Sequence, residues 1–470
     1  MGEVEIRQRR EREGGWRRSK KIFGLVSTLI AVFCFVSYPV AGSGAAPGQP
    51  TEKYSLAKSF EVAETNSLSI KSLPLETLAA QLTSKNADLE KWPALSASVA
   101  YEIGDVTLDE YQYGRLIPYL NLSQELFGKV DAQYEKKWSA MTKKMAVEVK
   151  ASAAKRDLYL EVAAKYYTLL LARLKYDQEA KSFAKSQKDL QESKEKFAGG
   201  FIAKVDVVRA ETNFSYSSMK QLSAENALGY AEADFISVLN LPGGTKITTE
   251  DLQKADRYTV EFESLKEYVE KNNTELAVYD RVLGELPKFR ELVKRINWPT
   301  VSVAAFFGEG GSWNGTKDQD TYGLRLTLTQ SLYDYGITNR KGEIMGLEMK
   351  TLESDLTALR SKYLKRLELL LMKFHHAGLE VQQFHKQAEQ DMKLAELSQR
   401  SYELGVTSFT EMLQSRDSAQ KSEYRYAESQ SRYEMAELSL KLNAGEISSD
   451  ALFDRTPGWL KRESPVNISK

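Results

Sequence analysis

Lys91-Trp92-Pro93-Ala94-Leu95-Ser96-Ala97-Ser98-Val99 is echoed 206 residues later by Asn297-Trp298-Pro299-Thr300-Val301-Ser302-Val303-Ala304-Ala305. At the same shift, Leu120-Asn121-Leu122-Ser123-Gln124-Glu125-Leu126-Phe127 meets Leu326-Thr327-Leu328-Thr329-Gln330-Ser331-Leu332-Tyr333. At a shift of 205, Phe197-Ala198-Gly199-Gly200 meets Tyr402-Glu403-Leu404-Gly405. A recurrence in this order marks two copies of one structural unit. It displaces the two or three unrelated domains that 470 residues suggest.

Each copy runs through the same elements. A helical segment comes first, over 56–90 and 262–296, and stops at Trp-Pro, where the ring removes an amide donor and clashes with the preceding turn. Two strand-like runs of about 8–11 residues follow. In them Leu95, Ala97, Val99 and Tyr101 alternate with Ser96 and Ser98, and Leu324, Leu326 and Leu328 alternate with Arg325, Thr327 and Thr329. Period two with one apolar and one polar face is a half-buried strand. On alternation alone a soluble sheet is the stronger reading, although the length also suits a tilted membrane strand. The stretch from Phe306 to Thr321 reads as a strand end and hairpin loop.

Lys129 to Ala198 is a run of 70 residues without Gly or Pro. As one helix it would be roughly 105 Å long at 1.5 Å per residue. An ordinary globular helix is about three turns. Leu169, Tyr176, Phe183, Leu190 and Phe197 recur every seven residues, as do Phe374, Val381, Ala388, Ala395 and Tyr402 in the second copy. The returning helices carry Val207, Phe214, Leu228 and Phe235, interrupted by Gln221, and then Met412, Ala419, Tyr426, Tyr433 and Leu440. Such rows predict antiparallel coiled-coil seams.

The charge balance is zero, 65 basic against 65 acidic residues, which argues against a basic nucleic-acid binder unless charge is segregated. It is segregated. Residues 1–42 hold eight basic residues and four Glu, leaving a mildly acidic remainder. Arg17-Arg18-Ser19-Lys20-Lys21, the apolar run Ile22 to Val36 and the small residues Ala41 to Ala46 have the order of a secretory signal. The run is shorter than the ~20 residues that span a bilayer, which disfavours a retained anchor. The only cysteine, Cys34, follows the bulky Phe33, which disfavours a lipoprotein cleavage site. Cleavage would leave a cysteine-free chain without disulfide or thiol chemistry.

No catalytic constellation stands out. His375, His376 and His385 are not three or four apart in any pairing, so they make no ligand face on a helix. There is no Walker loop, nucleophile elbow or dinucleotide turn. Acidic residues are abundant but fall mostly at solvent-facing helix positions. The expectation is a protein that is not an enzyme and that binds no metal and no cofactor.

Gly323-Leu324-Arg325-Leu326-Thr327-Leu328-Thr329-Gln330-Ser331-Leu332-Tyr333-Asp334-Tyr335-Gly336 resembles the strand-to-helix junction of TolC-like outer-membrane efflux proteins, where the run ends Gln-Pro-Leu-Phe-Asp-Gly-Gly. Ser331 stands in place of the Pro and Tyr335 in place of the first Gly. Gly405-Val406-Thr407-Ser408-Phe409-Thr410-Glu411-Met412-Leu413-Gln414-Ser415 resembles the family's hairpin tip, and Leu239-Asn240-Leu241-Pro242-Gly243 the close of its first repeat. The resemblance covers about 54–445, and the order of the motifs is more specific than any one of them.

The resemblance implies a mainly α fold with a membrane β-barrel portion. Long antiparallel coiled-coil helices would form an α-barrel, and four strands per protomer would contribute to a twelve-stranded barrel in a homotrimer. It divides the chain into a signal at 1–42, a first repeat at 43–241, an equatorial segment at 242–270, a second repeat at 271–445 and a tail at 446–470. Its partners are a periplasmic adaptor (membrane fusion) protein, an inner-membrane pump of RND or ABC type and outer-membrane lipid, with no nucleic acid. It implies the outer membrane with a long periplasmic extension, and passive conduction for efflux or type I secretion. By position in the family motif, Asp206 and Glu411 are the pore-facing acids of the periplasmic gate, with Arg209 and Gln414 where well-known members carry another acid in the second repeat. Gly200, Phe201, Gly405 and Val406 would form the tips that dock the adaptor. A lone acid after a turn is otherwise read as favoured by the helix dipole. The alternatives are a periplasmic coiled-coil scaffold without a pore and a helical adaptor.

Overall fold

The computed structural model describes residues 52–89, 92–106, 111–245, 247–250, 258–312, 319–445, 452 and 459–462. The expected signal at 1–42 and most of the tail at 446–470 lie outside them. Among the described residues, no helix is long and apolar enough to cross a membrane, and no group of His, Cys, Asp and Glu gathers as a metal site.

The chain runs β1 (Glu52–Tyr54), α1 (Leu56–Asn66), α2 (Leu68–Leu89), β2 (Ala94–Val106), β3 (Tyr111–Phe127), α3 (Val130–Ala198) and α4 (Lys204–Val238). It continues through β4 (Ile247–Thr249), β5 (Tyr258–Val260), α5 (Phe262–Asn272), α6 (Thr274–Val293), β6 (Thr300–Ser312), β7 (Gln319–Thr329), α7 (Ile337–Glu403), α8 (Phe409–Ala444) and β8 (Leu460–Arg462). The repeat read from the residues is the repeat of the fold: α5 begins 206 residues after α1, and β6 begins 206 after β2. Helices α3 and α7 have 69 and 67 residues, so each is roughly 100 Å long.

β2, β3, β6 and β7 form one antiparallel sheet in that order, which leaves β2 and β7 as its edges. Three strands are longer than the alternation suggested, at 13, 17 and 13 residues, and β7 has 11. Ladder pairing carries them beyond the clean alternation, through glycines such as Gly104 and Gly114 that weaken the sequence signal. Two short sheets tie the segment between the repeats to the chain ends: β1 pairs in parallel with β4, and β5 pairs antiparallel with β8.

The hydrophobic interior lies along the helices. One cluster packs Phe60 of α1 on Tyr159 of α3, ring centroids 4.6 Å apart, with Val162, Tyr166, Phe235 and Leu442. Another packs Leu265, Leu276, Leu356, Phe374, Tyr433 and Leu440, and reaches Trp459 and Leu460 at the chain's end. A third stacks Tyr134 on Trp138, with Phe289 meeting both rings edge-on.

The heptad rows hold in the second hairpin, where Phe374, Val381, Ala388, Met412, Tyr433 and Leu440 are buried, and are corrected in the first. In the first hairpin the most buried row is not the aromatic one but Glu179, Ser186 and Ser193 on α3, facing Ala210, Ser217, Ala224 and Ala231 on α4. Phe183 and Phe214 flank that seam, their rings 5.3 Å apart, and Phe197 is 45% exposed. On α8 the matching row is Ser415, Ser422 and Ser429. Small side chains let the backbones come close, and the serines satisfy themselves by donating to carbonyls of their own helix, as Ser186 does to Phe183 and Ser422 to Ala419. The placing of acids on solvent-facing positions also needs correcting at two sites: Glu179 and Glu275 are buried, each paired with a cation, Lys175 and Arg156.

Candidate functional site at the helix-hairpin tips

Both long hairpins turn by the same device. α3 ends at Ala198, and Gly200 adopts the left-handed conformation (φ 78°). The Gly200 amide donates to the Phe197 carbonyl and the Phe201 amide to the Lys196 carbonyl, at 3.0 and 2.9 Å. In the second repeat Gly405 (φ 74°) donates to Tyr402 and Val406 to Ser401, at 3.0 and 2.9 Å. This is the Schellman closure, which needs a residue without a Cβ penalty at the turn. It normally sets the next apolar residue against the helix, but Phe201 is 83% exposed and Val406 79%. Phe201 leans over Gly199, where a Cβ would come within 2.7 Å of its ring. Both tips therefore present an apolar side chain to solvent on a hydrogen-bonded turn.

The two acids sit at equivalent places, three residues into the returning helix, where the macrodipole favours a negative charge. Their partners differ. Ser408 caps α8, accepting from the Glu411 amide, while the Glu411 carboxylate accepts from the Ser408 amide, a closed capping box. The first tip has Ala203 at the cap position, which offers no side-chain acceptor. Asp206 is left to pair with Arg209, 3.2 Å away and half exposed. Such a pair adds little stability, but it sets the local charge. Gln414 is exposed on α8.

The cap difference predicts an asymmetry. Ser408→Ala should destabilise its tip by about 1 kcal/mol, and Ala203→Ser should stabilise the first tip by a similar amount. Hydrogen exchange of the tip amides measures both; equal protection in the two variants would contradict the assignment.

The tips are fastened to one another. Ala210 packs with Phe409 and Met412, backed by Leu190, Tyr402 and Leu413. Lys196 lies over the Tyr402 ring, 5.9 Å from its centroid. Burial, then the nearby carboxylates of Asp206, Asp189 and Glu192, push the Tyr402 phenol up, so it stays neutral. Residues not singled out from the sequence do most of the fastening. Arg416 of α8 donates to Asp189 of α3 at 2.9 Å and to Gln399 of α7 at 2.8 Å. Lys220 of α4 reaches Asp417 at 3.3 Å, and Gln178 donates to Glu423 at 2.9 Å. Their signal in the sequence was the small-residue heptad beside them, which marks the face of close approach.

The chain has the architecture of the Campylobacter jejuni CmeC outer membrane channel, with TM-score 0.70, 12% identity and coverage of 83% of this chain and 85% of that one. The fold is that of an outer-membrane channel. The channel fold recurs in the outer membrane protein VceC of Vibrio cholerae at TM-score 0.69 and 13% identity, over 83% of this chain and 96% of that chain. It also matches the open state of the MtrE outer membrane channel of Neisseria gonorrhoeae at TM-score 0.64 and 14% identity, over 84% and 90% of the two chains. No family model and no curated protein matches the sequence. The mainly α fold with its four-stranded sheet agrees with the resemblance to TolC-like proteins read from the residues.

Proposed function

We propose that this protein is the outer-membrane exit duct of an efflux or type I secretion system, conducting passively from a periplasmic adaptor and an inner-membrane pump to the exterior. One observation carries the reading. The sheet has an apolar face that the described residues leave largely open: Leu95, Val99, Leu324, Leu326 and Leu328 are 66–76% exposed. A soluble sheet would bury that face. Lipid accepts it, but tolerates no open strand edge, so β2 and β7 need partners from other copies. A homotrimer supplies twelve strands and closes the ring. The same operation sets the long hairpins side by side as a periplasmic tube. A pore-free scaffold has no use for such a sheet.

At the tips, Asp206 and Glu411 would form two rings of three carboxylates at the gate, and Phe201 and Val406 with their glycines would meet the adaptor. The ring at Asp206 is partly neutralised by Arg209, so cation preference is weaker than two free rings would give. The test is conductance in planar bilayers. The purified protein should conduct, Asp206→Asn with Glu411→Gln should move the reversal potential toward anions, and Arg209→Ala should move it toward cations. Trimers that never conduct, even with both carboxylates neutralised, would overturn the channel reading. Recovery in the soluble periplasm instead of the outer membrane would favour the scaffold.

A further inference from the structure

The two hairpins of the sheet are the same object repeated. β2 pairs with β3 through Ala94–Ser123 and Leu95–Leu122, and β6 pairs with β7 through Thr300–Thr329 and Val301–Leu328. Every number in the second set exceeds its counterpart by 206, so sequence repeat and ladder register coincide. The hairpins are joined inside the chain by β3 and β6, with Leu122 opposite Ala305, Ser123 opposite Ala304 and Gln124 opposite Val303. If the ring closes by repeating this step, the joint between copies is the same joint moved by one repeat.

Resting on the channel reading above, we infer that β7 of one copy pairs antiparallel with β2 of the next in a register set by the chain's internal joint. Leu328 lies opposite Val99 of the partner subunit, Thr329 opposite Ser98 of the partner subunit, and Gln330 opposite Ala97 of the partner subunit. The side-chain chemistry supports it independently. Residues directly opposite share a face of the sheet. Leu328 and Val99 are apolar and both 66% exposed in the single chain, and Thr329 and Ser98 both carry hydroxyls. A slip of one residue would set an apolar face against a polar one. A slip of two keeps the faces, and the internal joint selects against it.

The same step carries into the helices. Within the chain, Arg281 of α6 pairs with Glu148 of α3. One repeat away these positions are Leu75 on α2 and Ser354 on α7. Leu75 belongs to the row Leu68, Leu75, Leu82 and Leu89, spaced by seven and 50–75% exposed. A leucine heptad left open along a helix is a seam for another helix. On α7, Ile337, Ile344 and Leu347 are 51–61% exposed and offer the matching apolar surface. The second copy is therefore held by an apolar helix seam, whereas the chain's own α3–α6 joint combines the Arg281–Glu148 pair with the packing of Phe289 on Tyr134 and Trp138.

The experiment is cysteine crosslinking in membranes, in a Cys34→Ser background so that only introduced thiols react. Leu328→Cys with Val99→Cys tests the register. Leu328→Cys with Ala97→Cys, and Gln330→Cys with Val99→Cys, test slips of two residues in either direction. Opposite residues stand about 4.5–5.5 Å apart and diagonal ones about 7–8 Å. The on-register pair should therefore give at least about fivefold more covalent oligomer than either slipped pair on a non-reducing gel, using copper-phenanthroline or a short bis-thiol reagent. A slipped pair that dominates overturns the register. So does failure of all three pairs in membranes that still conduct. Efficient on-register crosslinking without conductance supports the register while removing the channel reading, so the two failures are distinguishable.

Discussion

Glu275→Ala should lower stability by about 3–5 kcal/mol, because it strands a charge in the interior. Arg156 of α3 and Glu275 of α6 meet at 2.6 Å, with both side chains less than a tenth exposed. The other carboxylate near Arg156 is the exposed Asp157, 3.6 Å from its Nε and beyond hydrogen-bond reach. The pair lies near a polar network that crosses the repeats, close enough for both ions to act on Tyr363. Asn273 caps α6 by accepting from the Leu276 amide, and donates to the Tyr363 hydroxyl of α7 at 2.6 Å and to the Asn443 carbonyl of α8 at 3.2 Å. Tyr363 in turn donates to the Asn443 carbonyl. Burial, then the nearby Glu275 carboxylate, push the Tyr363 phenol up to about 12. Replacing both ions together, as Arg156→Met with Glu275→Leu, should recover most of the loss, since apolar groups of like volume often replace a buried pair without cost. Thermal unfolding of the two single variants and the double variant measures this as a cycle. Additive losses would show that the ions do not act as a pair.

The second large effect is at Gly128, between β3 and α3. Its φ is 107°, and a Cβ there would stand 2.4 Å from the Thr300 Cα. The Lys129 amide donates to the Thr300 hydroxyl at this same contact, so the junction joins the first repeat to the start of β6. Gly128→Val adds left-handed strain of about 1–2 kcal/mol to overpacking of about 1–3 kcal/mol. The expected outcome is a loss of about 2–5 kcal/mol, read as a sharp fall in folded protein recovered from membranes. Gly346→Ala is the control. That glycine lies within α7 with nothing near its Cβ position, so the change should be neutral or stabilising by up to about 1 kcal/mol. Equal recovery of the two variants would mean that the close approach at Thr300 is not needed.

Much of this architecture was legible in the residues. The Trp-Pro repeat located both hairpins, because proline disfavours continuing a helix, although Pro74 and Pro287 are carried inside α2 and α6. The glycine-free run to Ala198 marked α3, and Gly200 and Gly405 marked the tips, because only glycine closes those turns without strain. The apolar alternation of Leu324, Leu326 and Leu328 showed a two-faced strand, but local pattern is the same whether the apolar face meets a core or lipid. Only the assembled sheet shows that the described residues leave that face largely open.

At the tips the sequence located Asp206 and Glu411 but not their partners. Ser408 makes Glu411 a cap and Arg209 makes Asp206 half of an ion pair, distinctions that depend on side-chain reach and cap geometry. The aromatic heptads were visible and the buried serine and alanine rows were passed over, since hydrophobic periodicity weighs side-chain size while close helix approach demands its absence. Arg156 and Glu275 are 119 positions apart, and nothing local links them. By itself, the sequence determined the repeat, the element order and the turns, all of which follow from local backbone chemistry and periodicity. The tertiary structure decided which rows touch, which charges are buried and which apolar face lies open, because those depend on segments that meet only when the long helices fold back on each other.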